Sequence, residues 1–196
     1  MHAVSVPRLV LASASPRRLE LLGRLRIVPD VIEPAAIVET PRPSEHPRDT
    51  ARRLAEAKVR TVAARHGGAF VLAADTVVEC GRRSLPKAQS EEQARACLQR
   101  LSGRRHRVHS AVVVTGPDGR TGRRVVTTRV TFKRLSTREI EMDLAGGEWQ
   151  DKAGGYAIQG AAAAFAKAVN GSYTNVVGLP LVETAGLLAG LGYPLP

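Results

Sequence analysis

The sequence predicts an α/β fold, and three observations carry that prediction. Short, fully apolar runs, Leu9-Val10-Leu11-Ala12 and Phe70-Val71-Leu72-Ala73-Ala74, alternate with segments of helical periodicity. Helix-start signals punctuate the alternation: Ser15-Pro16, Ser90 with Gln93, and Ser136 with Glu139. A composition of 43% apolar and 24% charged residues supplies a core and excludes global disorder. With 196 residues, no internal repeat and no linker of disordered composition, the chain reads as a single domain over residues 1–196.

Taken in order, residues 8–12 form a buried strand and Pro16 opens a helix with Leu19, Leu22 and Leu25 on its apolar stripe. A second strand covers 27–33, and the Pro-rich stretch 34–46 is a loop. Asp49 to His66 is a strong helix whose buried side holds Ala51, Leu54, Ala55, Val59 and Val62, stopped by Gly67-Gly68. The apolar strand from Phe70 ends at Asp75, with 76–78 continuing extended. Ser90 starts a helix to Leu101. Residues 108–115 and 123–132 pair as a hairpin across Gly116-Pro117-Asp118-Gly119. Ser136 starts a short helix that Gly146-Gly147 ends, and 154–164 is a Gly/Ala-rich segment without clear period. Asn170-Gly171 reads as a hairpin turn between 165–169 and 173–177, and the last helix spans about 180–191.

The formal charge of +11 calls for an explanation. Only five of the 29 basic residues are lysines: Lys58, Lys87, Lys133, Lys152 and Lys167. The charge is spread evenly, and aromatic residues are only 4%. A nucleic-acid footprint concentrates charge and interleaves aromatics, so nucleic acid is not the expected partner. No apolar run is long enough for a membrane span, and no secretory leader is evident. Cys80 and Cys97 lack the spacing of a disulfide framework or zinc site, which fits a cytoplasmic protein.

Three constellations stand out. Ser13-Ala14-Ser15-Pro16-Arg17-Arg18 lies between a strand and a helix start, where free N–H groups and the helix dipole suit an anion. Two arginines in a first turn oppose the dipole, and a bound phosphate would resolve that conflict. The plainer reading is a Ser-capped helix with solvated arginines. Asp75-Thr76 follows an apolar strand, where a carboxylate needs a partner or a cation and can deprotonate water. The plainer reading is a turn cap. Gln150-Asp151-Lys152-Ala153-Gly154-Gly155-Tyr156-Ala157-Ile158-Gln159-Gly160 is neither a Walker loop nor a Rossmann fingerprint, and holds a Tyr and a Gln able to read a base edge. Lys58, Lys87 and Glu39 are isolated charges, each more often solvated than functional. His106 and His109 face opposite sides if their segment is a strand.

These motifs, with Leu101-Ser102-Gly103-Arg104 and Val177-Gly178-Leu179-Pro180, resemble the Maf family in order and spacing from about residue 8 to 190. The resemblance implies a mixed, elongated β-sheet with flanking helices, two lobes around a cleft, distantly similar to inosine triphosphate pyrophosphatases. It also implies a cytoplasmic homodimer that hydrolyses nucleoside triphosphates to the monophosphate and pyrophosphate with a divalent metal, Mg²⁺ or Mn²⁺. Such activity removes non-canonical or excess nucleotides, and some members are linked to septum inhibition and cell-division arrest. Arg17, Thr76 and Gln159 match the branch acting on dTTP and UTP. By the same carry-over Asp75 is the general base, Glu39 and Asp75 attend the metal, and Ser13, Ser15, Arg17, Arg18, Lys58 and Lys87 bind phosphate. Two departures are visible: the family's Gly-Lys-Pro turn reads Pro86-Lys87-Ala88, and Val38 rather than an acid precedes Glu39. The alternatives are the same chemistry on N7-methyl-GTP or a modified pyrimidine triphosphate, and a non-catalytic nucleotide or nucleic-acid binder regulating septum formation.

Overall fold

A seven-stranded mixed sheet organises the chain. The structure, a computed structural model, describes residues 7–196. In chain order the elements are β1 (Leu9–Leu11), α1 (Pro16–Arg24), β2 (Val31–Ile32), α2 (Pro47–Ala63), β3 (Phe70–Cys80), β4 (Arg83–Leu85) and α3 (Glu91–Leu101). There follow β5 (Arg105–Thr115), β6 (Thr121–Phe132), α4 (Thr137–Gly146), a 3₁₀ turn at Ala161–Phe165, β7 (Ala166–Asn170), α5 (Tyr173–Val177) and α6 (Leu181–Gly190). The sheet order is β2-β1-β3-β5-β6-β7, with β4 paired to β3. β1 runs parallel to β2 and β3, and every other pairing is antiparallel.

The period-2 alternation of side chains explains the architecture. Val71, Ala73 and Val77 of β3, with Ala111 and Val113 of β5, turn to one face and pack under Ala51, Ala55, Val59 and Val62 of α2. The other face carries two clusters. Leu72 and Ala74 with Val112 and Val114 pack against Leu21, Leu22, Leu187 and Leu188 of α1 and α6. Further along the same strands, Val78 and Val108 join Phe132, Leu98, Ile140 and Tyr156. Between the clusters, on that same face, stand the cross-strand partners Thr76 and Ser110. A polar row thus separates two apolar lobes, and the cleft opens over it.

The structure amends four local readings. β3 does not stop at Asp75 but runs on to Cys80 in register with β5, so Asp75 is mid-strand. The second strand is only two residues long. Residues 173–177 are a helix, with Ser172 accepting from the Asn175 N–H, and β7 pairs with β6 instead of forming a hairpin across Asn170-Gly171. Ser15 begins α1 without a side-chain cap; the Ser13 Oγ accepts from the Ser15 N–H at 3.2 Å. The capping box of Ser136 with Glu139 is complete, and both cysteines are buried and free.

Candidate active site

A cleft of about 680 Å³ lies over the Thr76–Ser110 row. Its walls are the Ser13–Arg18 turn, the 34–39 loop, Lys58 and Lys87, the Gln150–Ala153 turn, and Val176–Gly178. A smaller cavity of about 320 Å³ adjoins it, sharing Glu39, Thr76 and Lys87, and is lined also by Asp75, Thr50 and Leu54. Every site residue singled out in the sequence lines one of these two spaces.

Asp75 points toward α2, because its neighbours on β3 alternate faces, and is 2% exposed. Its cross-strand partner is Ala111, too small to crowd the carboxylate. A buried carboxylate needs a cation, and Lys58 supplies it: Nζ donates to Asp75 Oδ1 at 2.7 Å. Lys58 is itself 6% exposed, whereas its position beside the apolar stripe of α2 read as solvated. The ammonium also meets Glu39 Oε1 at 2.5 Å, and the other oxygen of Glu39 accepts from Lys87 Nζ at 2.5 Å. Four charged groups from the loop, α2, β3 and the turn after β4 thus form one chain, Asp75–Lys58–Glu39–Lys87. Burial alone would raise the Glu39 carboxyl, but the hydrogen bonds from Lys58 and Lys87 win and bring it down to about 2.

Despite the altered frame around it, Lys87 reaches the cleft. A backbone bridge from Lys87 to Ala153 ties its turn to the glycine-rich segment. That segment docks through its glycines. Gly154 and Gly155 have φ of +77° and +66°, and a Cβ there would stand 3.1 Å from Val78 and 3.0 Å from the Ala94 backbone. Tyr156 follows and is buried, its hydroxyl 2.8 Å from His106 Nε2. Burial pushes that imidazole down to about 4 and the phenol up. His106 and His109 do face opposite sides, for His109 meets Glu79 at 2.7 Å on the α2 face.

On the cleft side, Arg18 is held by three partners. Its Nε donates to the Gly178 carbonyl at 2.9 Å, Nη1 to Ser13 Oγ at 3.0 Å, and Nη2 to Thr76 Oγ1 at 3.3 Å. Desolvation lowers its pKa, against the pull of Asp75 and Glu39. Arg17 lines the cleft too, its pKa lowered by burial and then by the Arg18 charge. Two guanidiniums at a helix start, one braced and one without a side-chain hydrogen bond among the described residues, form a site for a polyanion. Gln159 is exposed at the rim. Sequence reasoning missed Ser110 and Asn175, both 0% exposed beneath Thr76. Their only signal is a serine leading into the apolar run Ala111–Val114 and an asparagine between Thr174 and Val176.

An α/β sheet split by a polar row, with cationic groups lining one cleft, defines a protein whose cleft suits an anionic ligand. The chain belongs to the Maf family: the family described as "Maf-like protein" matches residues 8–191. It is 62% identical over 185 residues to the dTTP/UTP pyrophosphatase of Paramagnetospirillum magneticum, covering 94% of this chain and 97% of that one. It is 58% identical to the dTTP/UTP pyrophosphatase of Rhodospirillum rubrum, covering 94% and 88%, and 56% identical to that of Brucella abortus, covering 96% and 93%. Among solved structures it is similar to the Ham1 protein of Staphylococcus aureus, at 19% identity with a TM-score of 0.45 over 64% of this chain and 71% of the other. Among the described residues, no helix is long and apolar enough to cross a membrane.

Proposed function

We propose that this cleft hydrolyses nucleoside triphosphates, dTTP and UTP by preference, to the nucleoside monophosphate and pyrophosphate. The chain is a nucleoside triphosphate pyrophosphatase like its relatives, whose names give dTTP and UTP as substrates. The single observation that carries the reading is the chain of Asp75, Lys58, Glu39 and Lys87 at the edge of the cleft. Two carboxylates and two ammonium groups at that edge, with Arg17 and Arg18 lining the same cleft, support the reading.

In this reading Asp75 takes a proton from water, the water oxygen attacks the α-phosphorus, and the bond to the bridging oxygen breaks to release pyrophosphate. Arg17, Arg18, Lys58 and Lys87 meet the charge on the phosphates, aided by the Ala14 N–H, since those of Ser13 and Ser15 already go to Leu11 O and Ser13 Oγ. Thr76, Gln159 and Arg17 select the base.

A divalent cation fits the same place. Glu39 and Asp75 share the Lys58 ammonium, so the two carboxylates lie close together. No group of three or more His, Cys, Asp or Glu gathers among the described residues. Two carboxylates, with water and phosphate oxygens as further ligands, suit Mg²⁺ or Mn²⁺. When bound, the cation neutralises phosphate charge. A cytoplasmic homodimer belongs to the same proposal, and the solution mass of the purified protein checks its oligomeric part.

The test is a panel of nucleoside triphosphates incubated with the protein and Mg²⁺ or Mn²⁺, read by pyrophosphate release. Release is expected from dTTP and UTP well above the purine triphosphates and N7-methyl-GTP. No pyrophosphate from any nucleotide, or release of inorganic phosphate instead, would refute the reading.

A further inference from the structure

The neutral side of the cleft has a feature that proton counting resolves. The Asn175 carbonyl is at the end of α5, where the backbone passes it over: the N–H groups of Gly178 and Leu179 both go to Thr174 O, and residue 180 is a proline. Its donor is the Ser110 hydroxyl at 2.9 Å. A carbonyl only accepts, so the one proton of Ser110 is spent there. Thr76 Oγ1 lies 2.8 Å from Ser110 Oγ, and in that contact the threonine must donate. The competing acceptor, Gly178 O, is 3.4 Å away and already takes Arg18 Nε. With its proton committed downward, Thr76 Oγ1 is left with lone pairs. One receives Arg18 Nη2; the other takes no donor among the described residues, on a side chain that lines the cleft.

The relay is braced from below. Asn175 Nδ2 donates to Val108 O at 3.0 Å and to Thr128 Oγ1 at 2.9 Å, and Thr128 donates to Ser172 O. Ser110, Asn175 and Thr128 are all 0% exposed, so no water competes for these protons.

We propose that Ser110 is a positioning residue that fixes Thr76 as a hydrogen-bond acceptor, so that the cleft selects a nucleobase presenting a ring N–H donor on its pairing edge. This rests on the functional reading above. Uracil and thymine carry the imide N3–H. Cytosine has a bare N3 at the same place, and two facing lone pairs repel. Adenine lacks a ring N–H on its pairing edge as well. Guanine carries one, so polarity alone separates uracil from cytosine and leaves base size to exclude purines. A buried polar group shaped for a donor rejects an analogue lacking it far better than an apolar pocket rejects a change of size.

The experiment measures kcat and KM for UTP, CTP and N3-methyl-UTP with the wild type, Ser110→Ala and Ser110→Thr, and the equilibrium Kd of each nucleotide by calorimetry. Wild type should prefer UTP over both CTP and N3-methyl-UTP by about a hundredfold in kcat/KM. Ser110→Ala frees the Thr76 proton and should compress the UTP-to-CTP ratio by about tenfold, through KM more than kcat, and Ser110→Thr should restore it. A folded Ser110→Ala protein with an unchanged ratio overturns the proposal. So does wild-type turnover of N3-methyl-UTP matching that of UTP, an arm that decides even where Ser110→Ala does not fold. A protein that releases no pyrophosphate yet prefers UTP over CTP and N3-methyl-UTP in Kd would sink the functional reading and keep this one.

Discussion

The two faces of β3 at Asp75 and Thr76 solve the same problem, a buried polar group, by opposite means. On the α2 face the solution is ionic. It grades outward, from Asp75 and Lys58 with side chains 3% and 8% exposed to Glu39 and Lys87 at 37% and 44%. On the cleft face it is neutral, with Thr76 donating to Ser110 and Ser110 to the Asn175 carbonyl. Ammonium groups bond any oxygen in reach and do not fix a partner's orientation, so strength is what the ionic chain offers. A hydroxyl relay with every proton assigned has one arrangement, and direction is what it offers. One residue of sequence separates the two, because a strand sends neighbours to opposite faces.

The sharpest way to break this contrast is to remove one member from each side. Lys58→Met leaves the Asp75 carboxylate buried without its cation and should cost about 3 kcal/mol in denaturant unfolding. Ser110→Ala loses neutral hydrogen bonds and should cost about 1 kcal/mol. If the serine proves the costlier of the two, the ionic side is not the stronger.

A smaller effect probes the outer end of the ionic chain. The Glu39 carboxyl is held well below its ordinary 4.5, at about 2, so its contribution to stability is complete above pH 4.5 and is lost as pH falls through about 2. Glu39→Gln lacks that contribution throughout. The gap in thermal midpoint between wild type and Glu39→Gln should therefore be widest above pH 4.5 and close as pH is lowered. A gap that stays constant down to pH 2 would mean that Glu39 does not hold the loop through its charge.

Much of this was legible in the sequence, for reasons that particular residues make plain. The helix starts at Glu91 and Thr137 follow from side-chain capping, and that at Pro16 from a proline at the first helical position, both local signals. The apolar runs locate β1 and β3 because both are buried on two faces. Asn170-Gly171 misled because its turn signal is real but its partner is not: Ser172 caps a helix at once, and β7 spends its hydrogen bonds on β6. Asp75 read as a strand end because a carboxylate interrupts an apolar run, and nothing local reveals that Lys58, 17 residues earlier, pays its desolvation. Ser110 was invisible for the same reason. Its partners, Thr76 and Asn175, are 34 and 65 residues away, and it takes the β3–β5 register and the packing of α5 on β5 to bring them together.

The most direct test of the account is Asp75→Asn. The amide keeps the shape of the carboxylate and an oxygen for Lys58, but takes no proton from water. Pyrophosphate release from dTTP and UTP should fall by about a hundredfold or more, with Kd for the nucleotide staying within about threefold of wild type. Release at a near wild-type rate would contradict it, for Asp75 would then be a structural counter-ion to Lys58 and the base would lie elsewhere.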